Sequence, residues 1–238
     1  STEAQKWFDR GILWTYGYNH EESVTCFERA IDADPKCAMA HWGAGYASGP
    51  NYNMPWDLFD DAGRAAAARA GYAHARKALD LIDGATEWEA ALIQALPARH
   101  PQPDPLDPEA MKAWNANFAD AMRDVFAAHL ESHEVRTVFA ESLLNLTPWK
   151  MWDLRSGKPA ASARTVEAQT VLEEALEGDP SAMRHPGLLH LYVHLMEMSP
   201  FPEKALKAGD ALRRLVPDAG HLIHMPTHID ILCGHYQN

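Results

Sequence analysis

The chain has no apolar run near the roughly 18 to 20 residues that cross a bilayer. No segment alternates β-branched and polar residues for long enough to make a sheet. Positive charge is in deficit: 21 Lys and Arg stand against 33 Asp and Glu, a formal net charge of -12. A field of that sign repels phosphate backbones and anionic lipid surfaces, which argues against nucleic acid and membrane as partners. Cysteine is scarce. Cys26, Cys37 and Cys233 show no CxxC spacing. Cys26 and Cys37 could pair, but an odd count without a framework favours reduced thiols and a cytoplasmic setting. No signal peptide is visible, although a start at Ser1 without Met leaves a removed leader open. Hydrophobic content of 47% and charged content of 23% are ordinary for a folded chain. The 238 residues leave room for one large domain or a repeat array.

Helical periodicity fills this frame. Trp7, Gly11 and Trp14 recur at helical spacing, a polar turn follows at Tyr18-Asn19-His20, and Val24, Phe27, Ala30 and Ile31 mark a second helix that stops at Pro35. Two short helices with one apolar seam each need neighbours, which is the logic of a helical repeat. "AGRAAAARAGYAHARKALDLI" and "ATEWEAALIQALPARH" each predict one helix, and further helices are expected at about 108–129, 132–146 and 164–178. "HPQPDPLDP" (100–108), with four prolines in nine residues, reads as a connector. The loops "PNYNMPW" and "PWKMWDLRSG" are aromatic-rich, suited either to cover a groove or to cap helix ends.

Trp7, Gly11, Trp14, Phe27, Ala30 and Pro35 together resemble the tetratricopeptide repeat (TPR) pattern, without gaps. The match departs at Arg10, where Leu is usual, and at Ser23, where Ala is usual. "CAMAHWGAGYA" begins a second copy, with Gly45 lying 34 residues after Gly11 and His41 standing where Trp7 stood. Near the other end, "PGLLHLYVHLMEMSPFPEKALKAGDALRRLVP" follows the pattern again, with Leu189, Val193 and Met196 on the seam. "AGHLIHMPTHIDILCGHY" starts one more copy, with Gly234 and Tyr236 as its inter-helix turn. The resemblance implies an all-α, TPR-like right-handed solenoid of antiparallel helix pairs over 1–238, irregular in the middle, with clear repeats at about 4–48 and 186–238. The last copy stops after its first helix. That leads us to expect a fragment of a longer chain, or a homo-oligomer partner or missing C-terminal segment covering this end.

Histidine is the outlier of the composition. Of thirteen, six (His185, His190, His194, His221, His224 and His228) fall within 44 residues. His190 and His194 share a helix face, Glu197 extends it, and His221, His224 and His228 share a face of the next first helix. His190 to His224 and His194 to His228 are each 34 residues, one repeat period. Packed helices lie roughly 8–10 Å apart, close enough for facing imidazoles to meet on one ion. The expected metal ligands are His190, His194, Glu197, His221, His224 and His228, with His185 a further possibility for a second ion. Glu197 doubles as the expected general base. Pro186 is expected to start the helix of the first row and Pro226 to disturb that of the second.

The TPR resemblance implies that these side chains line a concave groove, with Trp42 and Tyr46 on the matching face of the second copy. Core packing accounts for those two equally well. Glu141 and Asn145, four apart, are weaker groove candidates. His41 is expected to be a hydrogen-bonded core residue, and His20, His74, His100, His129, His133 and His235 to lie on the surface. Imidazole-rich sites suit copper, iron and zinc rather than magnesium or calcium. The functional expectation is a metal-dependent enzyme with one or two ions per chain, acting on a small molecule or peptide in the groove. Copper or iron redox chemistry ranks ahead of zinc hydrolysis. The alternatives are a TPR scaffold that binds a peptide in its groove and a metal-storage or metal-sensing module without catalysis.

Overall fold

The computed structural model describes residues 1–237; Asn238, where the expected last copy ends, lies outside them. The described residues are all-α apart from one short ribbon. The chain divides into two compact units, Ser1–Val135 and Arg136–Asn238.

The first unit holds α1 (Thr2–Tyr16), α2 (His20–Ala33), α3 (Ala38–Ala47), α4 (Asp61–Asp80), α5 (Glu87–Arg99) and α6 (Pro108–Ala128). Their starts are written in the sequence. Ser1, Asn19, Asp60 and Asp107 cap α1, α2, α4 and α6 by accepting a backbone N–H from the first turn. Thr86 and Glu89 form a reciprocal capping box on α5. The proline-rich connector ends where Pro108 takes the first position of α6.

Phe27 locks the first three helices. It is fully buried and packs with Ala44 and Ala47, with Phe8, Ile12, Val24 and Ile31 around them. Its ring lies against two glycines: a Cβ on Gly11 would come within 2.7 Å of it, and one on Gly43 within 2.4 Å. Neither glycine is needed for its backbone angles; both are needed for the close approach of an aromatic ring to a helix backbone.

A second core gathers Trp56, Ala68, Met111 and Trp114, so the loop "PNYNMPW" is packed inside this unit, with Tyr52 at 0% exposure. Trp42 and Tyr46 are buried and stacked, 5.2 Å apart and 12° from parallel; Trp42 donates to the Leu92 carbonyl, and the Arg99 guanidinium sits over Tyr46. Of the two readings open for them, the structure takes core packing. His41 is a buried, hydrogen-bonded residue as expected, its Nδ1 lying 3.1 Å from that of His74. Contrary to expectation, His74 is half-buried, His100 is fully buried and the His20 ring nitrogens are out of water. Each lies where a helix packs against a neighbour, a circumstance invisible to a periodicity argument.

The second unit continues from α7 (His133–Leu144), which carries the boundary between units, through β1 (Trp152–Asp153), β2 (Lys158–Pro159), α8 (Thr165–Gly178), α9 (Pro186–Met196), α10 (Leu206–Leu212) and α11 (Gly220–Leu232). The two strands pair antiparallel, a ribbon too short to change the fold class. Arg136 of α7 donates to the Val171 carbonyl of α8. α8 packs on α9, and α9, α10 and α11 pack on one another. Arg213, just past α10, pairs with buried Asp230 of α11 at 2.8 Å, and Gly209 admits Pro226 at the α10–α11 contact. Pro226 lies inside α11, which continues past it. No described helix is long and apolar enough to cross a membrane, and all three cysteines are free thiols.

Two predictions follow from the first unit. Gly43→Ala is expected to lower stability by about 1–3 kcal/mol, the usual cost of overpacking, read as a shift in urea midpoint; an unchanged midpoint would show that Phe27 has room to move. Burial, then the Arg99 charge, pushes His100 down to about 3 and His20 down to about 4. Burial, then His74 and Lys77, pushes His41 down to about 4. A folded-state value below the unfolded value of about 6.5 means that the unfolded chain takes up protons first. Stability should therefore be flat in pH above about 6.5 and fall as pH drops below it, ahead of the carboxylate range. A urea midpoint constant between pH 6.5 and pH 5 would contradict this.

Candidate metal centre

The site rests on α9. The side chain of His185 caps this helix by accepting from the Leu188 N–H, and Pro186 takes its first position, as expected. His185 thus has a structural task. Every residue from Gly187 to Met196 is buried, so α9 is covered on all sides. Its rotation is set from outside the histidine row. Tyr192 donates to Glu173 Oε1 at 2.9 Å, and Lys204 reaches the same oxygen at 3.2 Å. At the C-terminal end, Trp152 of β1 donates to the Leu195 carbonyl at 2.7 Å. That bond satisfies one of the carbonyls a helix leaves open, so the loop "PWKMWDLRSG" caps a helix end through this tryptophan.

His190 and His194 therefore sit one turn apart on a buried helix, at 0% and 2% exposure. Across from them α11 brings His221, half-buried. The rings of His190 and His194 are centred 4.6 Å apart, those of His190 and His221 4.9 Å, and those of His194 and His221 5.7 Å. One nitrogen from each of the three lies within 4.8 Å of the others, and the group could hold a metal ion. Tetrahedral nitrogens at 2.0–2.1 Å from an ion are about 3.3 Å apart, so closing the triangle takes only small rotations of the rings.

Glu197 stands at the end of α9 and turns its carboxylate to both helices. Oε1 lies 2.8 Å from His194 Nδ1, and Oε2 lies 2.6 Å from Nδ1 of His228. A carboxylate only accepts, so each histidine donates from Nδ1 and keeps Nε2 as its basic nitrogen. This is the arrangement in which an outer carboxylate fixes the tautomer and aim of a metal-ligating imidazole. His228 Nε2 in turn lies 2.8 Å from His224 Nε2.

The electrostatics of His194 and His221 agree with neutral rings. Burial pushes His194 below the usual histidine range despite the charge of Glu197. His221 is pushed down to about 4 by burial, then by His194, His224 and His228. Burial works against the charge on Glu197, but the hydrogen bonds it accepts from His194 and His228 outweigh it and hold its carboxyl below the usual range. Neutral imidazole beside ionised carboxylate is the protonation state that metal binding needs.

The spacing of 34 residues expected to pair the two rows is not the spacing of the contacts. His190 meets His221 and Glu197 meets His228, each 31 residues on. One helical turn separates positions that are equivalent in the sequence pattern from positions that touch. The six expected residues thus sort by depth: His190, His194 and His221 form the inner group, Glu197 bridges, and His224 and His228 form an outer pair. Glu141 and Asn145 are both buried, at 4% exposure, one turn apart along the chain at and just past the end of α7.

No family model matches the chain, and neither a curated protein nor a solved structure matches it.

Long-range 15N–1H correlation spectra at pH 7.5 are expected to show His194 and His228 as Nδ1–H tautomers. In Glu197→Gln, whose amide nitrogen can accept from neither ring, at least one of the two should turn to the Nε2–H form. Unaltered tautomers in that variant would remove Glu197 from this role.

Proposed function

We propose that the protein is a metal-dependent enzyme whose centre is built on His190, His194 and His221. The observation that carries this reading is the convergence of three ring nitrogens from two helices within 4.8 Å, two of them on buried residues. A buried cluster of imidazoles costs desolvation and mutual repulsion on protonation, which a bound cation would offset. Three neutral nitrogens leave a coordination position open for water, dioxygen or substrate, the pattern of catalytic rather than closed structural sites.

The donor set also narrows the metal. Iron sites of the two-histidine, one-carboxylate type need a carboxylate oxygen on the ion. Both oxygens of Glu197 are engaged by His194 and His228. Three imidazoles suit copper or zinc better, and copper redox chemistry is our first reading, with zinc hydrolysis the second. When bound, the ion would supply a Lewis-acidic or redox-active centre. The chain's own residues then have defined tasks. His190, His194 and His221 present nitrogen, Glu197 orients His194, and the enclosing side chains of α9 keep water from its inner face.

A TPR-like repeat fold remains our reading of the architecture. It is supported by the close packing of Phe27 on Gly11, two of the residues that carry the resemblance. The expected groove residues of the second copy, Trp42 and Tyr46, are buried, which weakens the part of this reading that extends a groove, for substrate or for peptide, over that copy.

Elemental analysis tests the central claim. The purified protein, or the apoprotein after incubation and desalting, is expected to retain at least one equivalent of copper or zinc, with His190→Ala, His194→Ala and His221→Ala each losing one. Because protons compete for the same nitrogens and burial holds His221 down to about 4, retention should persist below the usual histidine range of about 6.5 and fall as pH approaches about 4. A protein that stays metal-free after exposure to Cu(II) and Zn(II) at pH 7.5 would sink the proposal. Dioxygen uptake with a reductant, set against hydrolysis of activated esters, separates the copper and zinc readings; neither activity would leave storage or sensing.

A further inference from the structure

The six residues that the sequence places in one row fall into two sets, and the outer set has a geometry of its own. We propose that His224 and His228 form a second metal-binding pair, distinct from the inner three-histidine centre and joined to it through Glu197, so that the protein takes two ions. The inference rests on the reading of this region as metal-binding and adds to it the number and place of the ions.

Four observations carry it. His224 and His228 lie at i and i+4 of α11 with rings 4.7 Å apart and 88° from parallel. Their Nε2 atoms are 2.8 Å apart. Two nitrogens bound cis to one ion at 2.0–2.1 Å with a right angle between them would be about 2.9 Å apart, so the pair already has the bite of a tetragonal Cu(II) or Ni(II) site. Glu197 accepts from His228 Nδ1 and thereby turns the basic Nε2 toward His224. Finally, His224 is exposed and the His228 side chain is 37% exposed, whereas His190 and His194 are closed off. An ion held here would keep its remaining positions for water, and would exchange with solvent faster than one in the inner group.

A hydrogen bond from one Nε2–H to the other Nε2 would give the same distance with no metal. The two cases differ in stoichiometry. The full chain, stripped with a chelator, is titrated with Cu(II) and followed by calorimetry and by electron paramagnetic resonance. Two ions per chain are expected, the second weaker than the first. His224→Ala and His228→Ala should each remove one ion and leave the other, whereas His221→Ala should remove the inner ion. In His221→Ala the remaining Cu(II) should show superhyperfine splitting from two nitrogens. His224 is exposed, so its substitution should leave the fold intact, and far-ultraviolet circular dichroism checks this for each variant.

A single ion that is lost in His221→Ala and keeps its affinity within about twofold in His224→Ala and His228→Ala overturns the second site while leaving the inner centre standing. A single ion lost only in the outer variants does the reverse. A single ion that needs both sets means one shared site and overturns the division. No bound Cu(II) in the wild-type chain overturns both.

Discussion

The carboxylate of Glu197 is the constraint on which the candidate centre depends. It is largely withdrawn from water, where an unpaired charge would be costly, and it is stable there because two imidazole N–H groups donate to its two oxygens. Those donors come from different helices, His194 from α9 and His228 from α11, so satisfying one charge also sets the register between the helices. Once that register is set, His221 falls beside His190 and His194. A side chain that sequence reasoning places among the candidate metal ligands thus acts in the structure as the link between two histidines on different helices.

The burial of α9 gives this link its leverage. A helix exposed on one face would let its histidines find water as a partner and adopt many rotamers. α9 is enclosed on every side, with Tyr192 anchored on Glu173 and the Leu195 carbonyl bound by Trp152. Rotation and axial sliding of the helix would break these bonds, so His190 and His194 are held where protein rather than solvent surrounds them. Pre-organisation of this kind would lower the ordering cost of holding a cation.

Much of the architecture was legible in the sequence, because it is encoded locally. Apolar periodicity placed the helices, and those expected at 108–129, 132–146 and 164–178 are found as α6, α7 and α8 to within a few residues. The buried state of His41 could be read from its place on a seam. His100 and His74 could not, since each is covered by a neighbouring helix rather than by its own periodicity. Trp42 and Tyr46 sit on a face that both a groove and a core would use, and only the stack with Arg99 decides between them.

For the candidate centre, the sequence by itself determined which residues share a helix face: two histidines and a glutamate on one helix, three histidines on another, at spacings of three and four. Tertiary structure decided how they divide. The spacing of 34 relates positions that look alike in the sequence, but His190 meets His221 and Glu197 meets His228, each 31 residues on, so His221 joins the inner group while His224 and His228 stay outside it. The reason is that side-chain spacing along a helix follows from backbone geometry alone, whereas the axial offset between two helices follows from the packing of both and from where a buried charge finds its donors.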